Sequence, residues 1–282
     1  MQFTISYLPN KQRRLTVLSL TQHIDAITVG LQKAQPTRLK NTYIFRLLSF
    51  LPMTNSTKFW AIVPAAGVGK RMQADRPKQY LELTGKTVIE HTLSRLLQAD
   101  VFTAIAVAVS DEDPYWPELA ISQHKKIITA PGGKERADSV LSGLKTISTQ
   151  AADDDWVLVH DAARPCITSS DIHFLIDSLV NDDVGGILAL SSPDTLKQVD
   201  GIAITGTLDR SHIWRALTPQ MFRYGMLKSA LEQAQGNPAI TDDASALELK
   251  GLQPKIVEGR PDNIKITRPE DLALAQFYME QQ

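Results

Sequence analysis

The run Ala104-Ile105-Ala106-Val107-Ala108-Val109 is apolar at every position, which excludes a strand with one wet face and requires cover on both sides. The same demand recurs along the chain. Phe59-Trp60-Ala61-Ile62-Val63, the pair Ile127-Ile128, Trp156-Val157-Leu158-Val159 and Ile187 to Leu190 are short, apolar and rich in β-branched or aromatic residues. Segments at helical spacing separate them. Val88, Leu93, Leu96 and Leu97 form one apolar face, and Val140, Leu141, Leu144 and Ile147 another, on a helix opened by Gly133 and Lys134. Strand and helix in alternation predict an α/β fold, a Rossmann-like, mainly parallel sheet with helices on both faces. With 282 residues, 43% of them hydrophobic, the chain can bury a full core in one large domain or two small ones.

The first 57 residues depart from this pattern, Asp25 being their only acid against Lys11, Arg13, Arg14, Lys33, Arg38, Lys40 and Arg46. Such a stretch reads as an organellar targeting segment or as an extension upstream of a start at Met53. The polar lead Met53-Thr54-Asn55-Ser56-Thr57-Lys58 favours the second. The expected organisation is an N-terminal extension over 1–57, disordered or outside the native fold, and one domain over 58–282. The formal net charge of -1 argues against bulk binding of nucleic acid, so any cationic site is local. No apolar stretch reaches bilayer length, which predicts a soluble protein. Cys166, the single cysteine, leaves no internal disulfide or cysteine metal cluster and fits a cytoplasmic location. Between Pro165 and Ile167 it reads as a small packed side chain.

Pro64-Ala65-Ala66-Gly67-Val68-Gly69-Lys70-Arg71-Met72 follows the first strand, with Pro77-Lys78 close behind. Gly67 and Gly69 tolerate positive φ and lack a Cβ, so successive N–H groups can turn inward around an anion. Arg71 and Lys78 add full charge, which a plain strand-to-helix turn would not need. A Walker A loop requires four residues between its glycines and Ser or Thr after the lysine; here one residue separates the glycines and Arg71 follows Lys70. The dinucleotide fingerprint requires a third glycine where Met72 stands, which disfavours a dinucleotide-dependent reductase. Nucleotidyl transfer fits the loop better than either.

Further polar segments fall at strand ends, where an open α/β sheet forms its ligand crevice. Gly132-Gly133-Lys134-Glu135-Arg136-Ala137-Asp138-Ser139 leads from a strand into a helix; Ser139 and Arg136 can bond a base or phosphate, or Arg136 can lie on a solvated helix face. His160-Asp161-Ala162-Ala163-Arg164-Pro165 follows the fourth strand, and a carboxylate there can hold a divalent ion or a hydroxyl. His160 reads as a structural group, and no second histidine stands at metal-ligand spacing, so no dedicated zinc site is expected. Residues 190–214 read as a projecting hairpin arm, with Thr195 to Val199 and Ile202 to Thr205 flanking an Asp200-Gly201 turn, suited to burial by a second copy of the chain. Thr241 reads as the cap of a helix beginning Asp242-Asp243, and Asn263-Ile264-Lys265-Ile266-Thr267 as a strand ending near Lys265 with a cap at Thr267.

Taken together, these motifs resemble the 2-C-methyl-D-erythritol 4-phosphate cytidylyltransferase family. The resemblance runs from about Trp60 to the end and rests on the glycine loop, Pro77-Lys78-Gln79-Tyr80, Glu135-Arg136-Ala137-Asp138-Ser139-Val140, His160 to Pro165, Leu217-Thr218-Pro219-Gln220 and Asn263 to Thr267, in that order. It implies a domain of the nucleotide-diphospho-sugar transferase type with a β-hairpin dimerisation arm. It also implies a reaction in which CTP and a sugar-alcohol phosphate give a cytidine diphosphate product and pyrophosphate, in non-mevalonate isoprenoid synthesis. By the same resemblance Arg71 and Lys78 stabilise the transition state, and a magnesium ion is held mainly by the CTP phosphates. Ala65, Ala66, Gly67, Gly69, Gly133 and Ser139 would contact the nucleotide. Asp161, Arg164, Thr218, Thr241 and Lys265 would line the polyol phosphate pocket, while Thr195 and Arg210 would reach a partner subunit's site in a homodimer. Arg210 and Lys265 would then hold the attacking phosphate. Residue chemistry alone leaves open a cytidylyltransferase acting on ribitol 5-phosphate and, further off, a non-catalytic nucleotide-binding protein.

Overall fold

A computed structural model describes residues 57–67, 72 and 74–282. Except for Thr57, the expected extension over 1–57 lies outside the described residues, as do Gly69 and Arg71 of the glycine loop. Helices and strands alternate as the apolar pattern requires. The first half carries β1 (Phe59–Pro64), β2 (Glu82–Leu83), β3 (Lys86–Thr87), α1 (Val88–Gln98), β4 (Phe102–Val109), β5 (Ile127–Pro131) and α2 (Arg136–Thr146). Then come β6 (Trp156–Val159), α3 (Ser169–Leu179), β7 (Gly185–Ser191), β8 (Lys197–Asp200), β9 (Ala203–Thr207), β10 (Trp214–Arg223), α4 (Tyr224–Gln233), α5 (Asp243–Glu248), β11 (Lys255–Glu258) and α6 (Glu270–Glu280).

Seven strands form one sheet in the order β11-β7-β10-β6-β1-β4-β5. β1 is parallel to β4 and β6, β4 to β5, and β7 to β11. Within it β10 runs antiparallel to both β6 and β7. The alternation of side chains along β1 shows why these strands are apolar throughout. Ala61 and Val63 join one buried cluster with Ile89, Leu93 and Leu96 of α1, while Trp60 and Ile62 join another with Val140, Leu141 and Leu144 of α2. Trp60 also satisfies its buried indole N–H on Asp155 Oδ2 at 2.9 Å.

Several local expectations are corrected. The helix after β5 starts at Arg136, capped by Glu135 with Asp138 answering as its third residue, rather than at Gly133. The hairpin β8–β9 is present, but Asp200 pairs with Ala203, so its turn is Gly201-Ile202, with Gly201 at φ 57°, and Thr195 precedes the ladder. The cap of α5 is Asp242, whose carboxylate accepts from Ser245 N at 3.0 Å, and not Thr241. Residues 263–267 form no strand, and α6 has no side-chain cap at Thr267; instead Asp271 Oδ2 accepts from the backbone N–H groups of Thr267 and Arg268, each at 2.8 Å.

Candidate active site

The carboxyl ends of β1, β5 and β6 open onto one cleft of about 360 Å³, lined by Ala65, Ala66, Gly67, Lys78, Gly133, Ser139 and Asp161, among others. Its wall is held from below by backbone bonds. Ala65 N donates to Ala108 O at 2.7 Å, and the buried Gln79 amide donates to Ala65 O at 2.6 Å, so the start of the glycine loop is pinned from two sides. Lys78 Nζ donates to Ile266 O at 2.9 Å, tying the loop after β1 to the segment before α6. Gly67 does not use the positive φ that glycine tolerates, and a Cβ there would meet nothing within 4 Å among the described residues. Gly133 differs: a Cβ would lie 2.2 Å from Asp138 Cβ and 2.7 Å from Ser139 N. Only glycine lets this loop close on the start of α2, where Ser139 Oγ accepts from Gly133 N at 3.0 Å.

A second lobe of about 230 Å³ is lined by Arg164, Thr218, Gln220, Thr241 and Asp242 and shares Arg136, Asp161 and Lys265 with the first. Antiparallel β10 makes this possible. Gln220 is in register with Val159, which carries Thr218 past the end of β6 to Asp161. The common floor is an ionic cluster around Asp161. Arg136 Nε lies 2.9 Å from its Oδ1, while Lys265 Nζ at 2.8 Å and Arg164 Nε at 3.6 Å approach its Oδ2. Burial alone would raise the Asp161 pKa, but these three cations outweigh it and hold the carboxyl well below the usual range. Arg136 also reaches Asp243, 2.9 Å from Nη2 to Oδ2 but out of hydrogen-bond alignment, and burial pushes the Asp243 carboxyl up. Arg136 is thus paired with two acids while its side chain, 27% exposed, still lines both lobes.

Supporting groups absent from the sequence-based site complete the cluster. The Gln220 amide accepts from Asp243 N and Ala244 N at 3.1 and 3.0 Å and donates to Asp242 Oδ2 at 2.8 Å, fixing the start of α5. Asn263 donates to Thr218 O and its carbonyl accepts from Arg164 Nη1, both at 2.8 Å. His160, read as structural, is buried and bonded on both ring nitrogens, and burial lowers its pKa to about 4. Gln220 belonged to a motif singled out in the sequence, and Asn263 opened another; their polarity at buried positions was the available signal. Thr195 and Arg210 line neither lobe of their own chain. Both are exposed at the base of the hairpin, where the Arg210 guanidinium donates to Pro193 O.

An open, mainly parallel sheet with a cationic two-lobed cleft at its carboxyl edge defines an α/β domain of the nucleotidyltransferase type. The family model described as 2-C-methyl-D-erythritol 4-phosphate cytidylyltransferase matches residues 59–281. Relatives of that description from Vibrio atlanticus and Pseudomonas putida are 56% and 54% identical over 222 and 217 residues, 78% and 76% of this chain and 95% and 92% of theirs. The crystal structure of the Francisella tularensis 2-C-methyl-D-erythritol 4-phosphate cytidylyltransferase superposes with a TM-score of 0.70 at 38% identity, covering 78% of this chain and 99% of that one. The chain belongs to the 2-C-methyl-D-erythritol 4-phosphate cytidylyltransferase family.

Proposed function

We infer that the domain over 58–282 transfers a cytidylyl group from CTP to 2-C-methyl-D-erythritol 4-phosphate and releases pyrophosphate. The observation that carries this reading is the pair of lobes meeting at Arg136, Asp161 and Lys265, which seats two anionic ligands side by side. The nucleotide occupies the lobe of Ala65, Ala66, Gly67, Gly133 and Ser139; Gly69 and Arg71 follow Gly67 in sequence. The polyol phosphate occupies the lobe of Arg164, Thr218 and Thr241. A phosphate oxygen of the acceptor attacks the α-phosphorus of CTP, the new P–O bond forming as the α–β bridging P–O bond breaks, and the pyrophosphate leaves with that electron pair.

The transition state adds charge to the equatorial oxygens, so positioning and cations matter more than a base. Lys78 lines the nucleotide lobe, and Arg71 follows the glycines in sequence. Lys265 Nζ spends one donor on Asp161, and an ammonium has three, so it can hold the acceptor phosphate while remaining anchored. Asp161 keeps the neighbouring cations together before substrate arrives.

Among the described residues no three His, Cys, Asp or Glu side chains stand together as a metal cage, and both oxygens of Asp161 are engaged by cations. Asp161, its oxygens committed to Arg136 and Lys265, is a poor magnesium ligand in this arrangement. Magnesium enters this reading as the triphosphate's own counter-ion.

The hairpin supports a homodimer with shared sites. Val199, Ile202, Ile204 and Leu208 are exposed on it, an apolar surface that a second copy would cover, bringing Thr195 and Arg210 to the neighbouring cleft. Among the described residues no helix is long and apolar enough to cross a membrane, and the Cys166 thiol is free and buried, its pKa raised by burial to about 11. Pyrophosphate release measured with a panel of nucleotides and polyol phosphates tests the reading. Preference for ribitol 5-phosphate, or CTP binding without turnover on any polyol phosphate, overturns it.

A further inference from the structure

We propose that His160 is a positioning residue that fixes the direction of the Thr218 hydroxyl hydrogen, so that Thr218 can offer a ligand in the second lobe only a lone pair and reads a substrate O–H rather than a phosphate oxygen. The inference rests on the reading of that lobe as the polyol phosphate pocket.

The bonding pattern leaves one arrangement. His160 Nε2 lies 3.2 Å from the Arg164 carbonyl oxygen, which can only accept, so Nε2 carries the hydrogen. The ring is buried, and burial lowers its pKa to about 4, which keeps it neutral at pH 7. Nδ1 is then bare and must accept. Its partner is the Thr218 hydroxyl, 3.0 Å away, which therefore donates to the ring. Thr218 Oγ1 in turn accepts from Asp161 N at 3.1 Å. Its hydrogen and one lone pair are committed, and one lone pair remains.

The surroundings hold this polarity in place. Asn263 Nδ2 donates to Thr218 O at 2.8 Å, fixing the backbone, and Arg164 Nη1 donates to Asn263 O at 2.8 Å, so the groups around the ring are tied to one another. Thr218 lines the second lobe, whereas His160 lines neither lobe and acts through Thr218. The division of labour follows from donor chemistry. Phosphate oxygens carry no hydrogen and need the donors of Arg164 and Lys265; a polyol hydroxyl has a hydrogen to give, and the remaining Thr218 lone pair can take it. A protonated or opposite-tautomer ring would reverse the Thr218 hydroxyl and turn a reader of hydroxyls into a second phosphate donor.

The test combines a spectrum with kinetics on the full-length enzyme. Nitrogen-15 NMR of the imidazole at pH 7 is expected to show Nε2 protonated and Nδ1 bare; an imidazolium or the Nδ1-protonated form overturns the proposal. This arm needs no turnover, so it stays readable if the function reading fails, a failure seen instead as absence of pyrophosphate release with every polyol phosphate. In His160→Leu, which has no acceptor, the KM for 2-C-methyl-D-erythritol 4-phosphate should rise on the order of tenfold while the KM for CTP stays within about twofold. His160→Asn, whose side-chain oxygen can take the place of Nδ1, should recover most of the loss. Equal impairment of the two folded variants, or an unchanged polyol KM in His160→Leu, overturns the proposal. With deoxy analogues of the acceptor, one position should lose about tenfold against the native enzyme and nothing further against Thr218→Val; undiminished losses at every position in Thr218→Val count against it.

Discussion

Lys265 Nζ lies 2.8 Å from Oδ2 of Asp161, joining a cation on the segment before α6 to a buried anion after β6. The carboxylate serves three cations at once, so its removal would leave Arg136, Arg164 and Lys265 facing one another. Asp161→Asn should destabilise the fold by about 3 kcal/mol, the scale of breaking a buried ion pair. Chemical denaturation at pH 7 measures this, and a loss below about 1 kcal/mol would show that the cations rearrange without cost.

Lys78→Ala should reduce kcat by about a hundredfold or more, the scale of losing one donor aimed at developing charge. The KM for CTP should change far less. Steady-state kinetics with both substrates separates the effects, and equal loss in kcat and CTP affinity would contradict a role confined to the transition state.

Mixing Arg210→Ala with Lys78→Ala chains tests the shared site. Each variant alone should be nearly inactive. In a mixed dimer one cleft carries an intact Lys78 and receives an intact Arg210 from its neighbour, so part of the activity should return. No recovery in dimers shown to be mixed would remove Arg210 from the partner's site.

Acid should weaken the fold in two stages. His160 falls from an ordinary 6.5 to about 4, so between those values the unfolded chain binds more protons than the folded one. Its contribution is complete above pH 6.5 and is lost as the pH falls toward 4, roughly 3 kcal/mol at about 1.4 kcal/mol per unit. Asp161 acts below this: its contribution is present above the ordinary carboxylate pKa and disappears as the pH drops through its depressed folded value. Asp243, raised by burial, works against the first stage, taking up a proton more readily in the fold just above the ordinary carboxylate pKa, and leaves the Asp161 stage untouched. Denaturant midpoints from pH 7 to 4 should therefore fall in the native chain, with a shallower fall in His160→Asn over the upper window.

Gly133→Ala should raise the KM for CTP and cost about 1–3 kcal/mol, because the new methyl meets backbone at 2.7 Å and the loop must open from α2. Gly67→Ala should leave stability within about 0.5 kcal/mol, since nothing among the described residues lies within 4 Å of its Cβ, and any loss should fall on nucleotide binding alone. Thermal melts and CTP titrations of the two variants provide the comparison.

The sheet was legible because Trp60 and Ile62 face one helical layer while Ala61 and Val63 face the other, so burial wrote itself into every position of β1. β10 was missed because Thr218-Pro219-Gln220 breaks its apolar run, and β11 because Val257 is the one buried side chain in an otherwise exposed edge strand. Around Lys265 the alternation of Ile264 and Ile266 read as a strand. Ile266 is indeed packed in the cluster beneath α6, but an extended segment shows the same alternation with no ladder partner. The glycine loop, Asp161, Arg164 and Thr218 were named from sequence. Their mutual arrangement was not, because two of the three cations on Asp161, Arg136 and Lys265, come from segments far from it in the chain, Arg164 alone being a near neighbour.

That shared floor has a thermodynamic consequence. Arg136, Asp161 and Lys265 belong to both lobes, so a ligand in one that draws on Lys265 alters what the other offers. The free energy of coupling is a property of the pair of ligands. By whatever factor the nucleotide changes affinity for the acceptor phosphate, the acceptor must change affinity for the nucleotide by the same factor, so titrating either ligand in the presence of the other must return the same coupling.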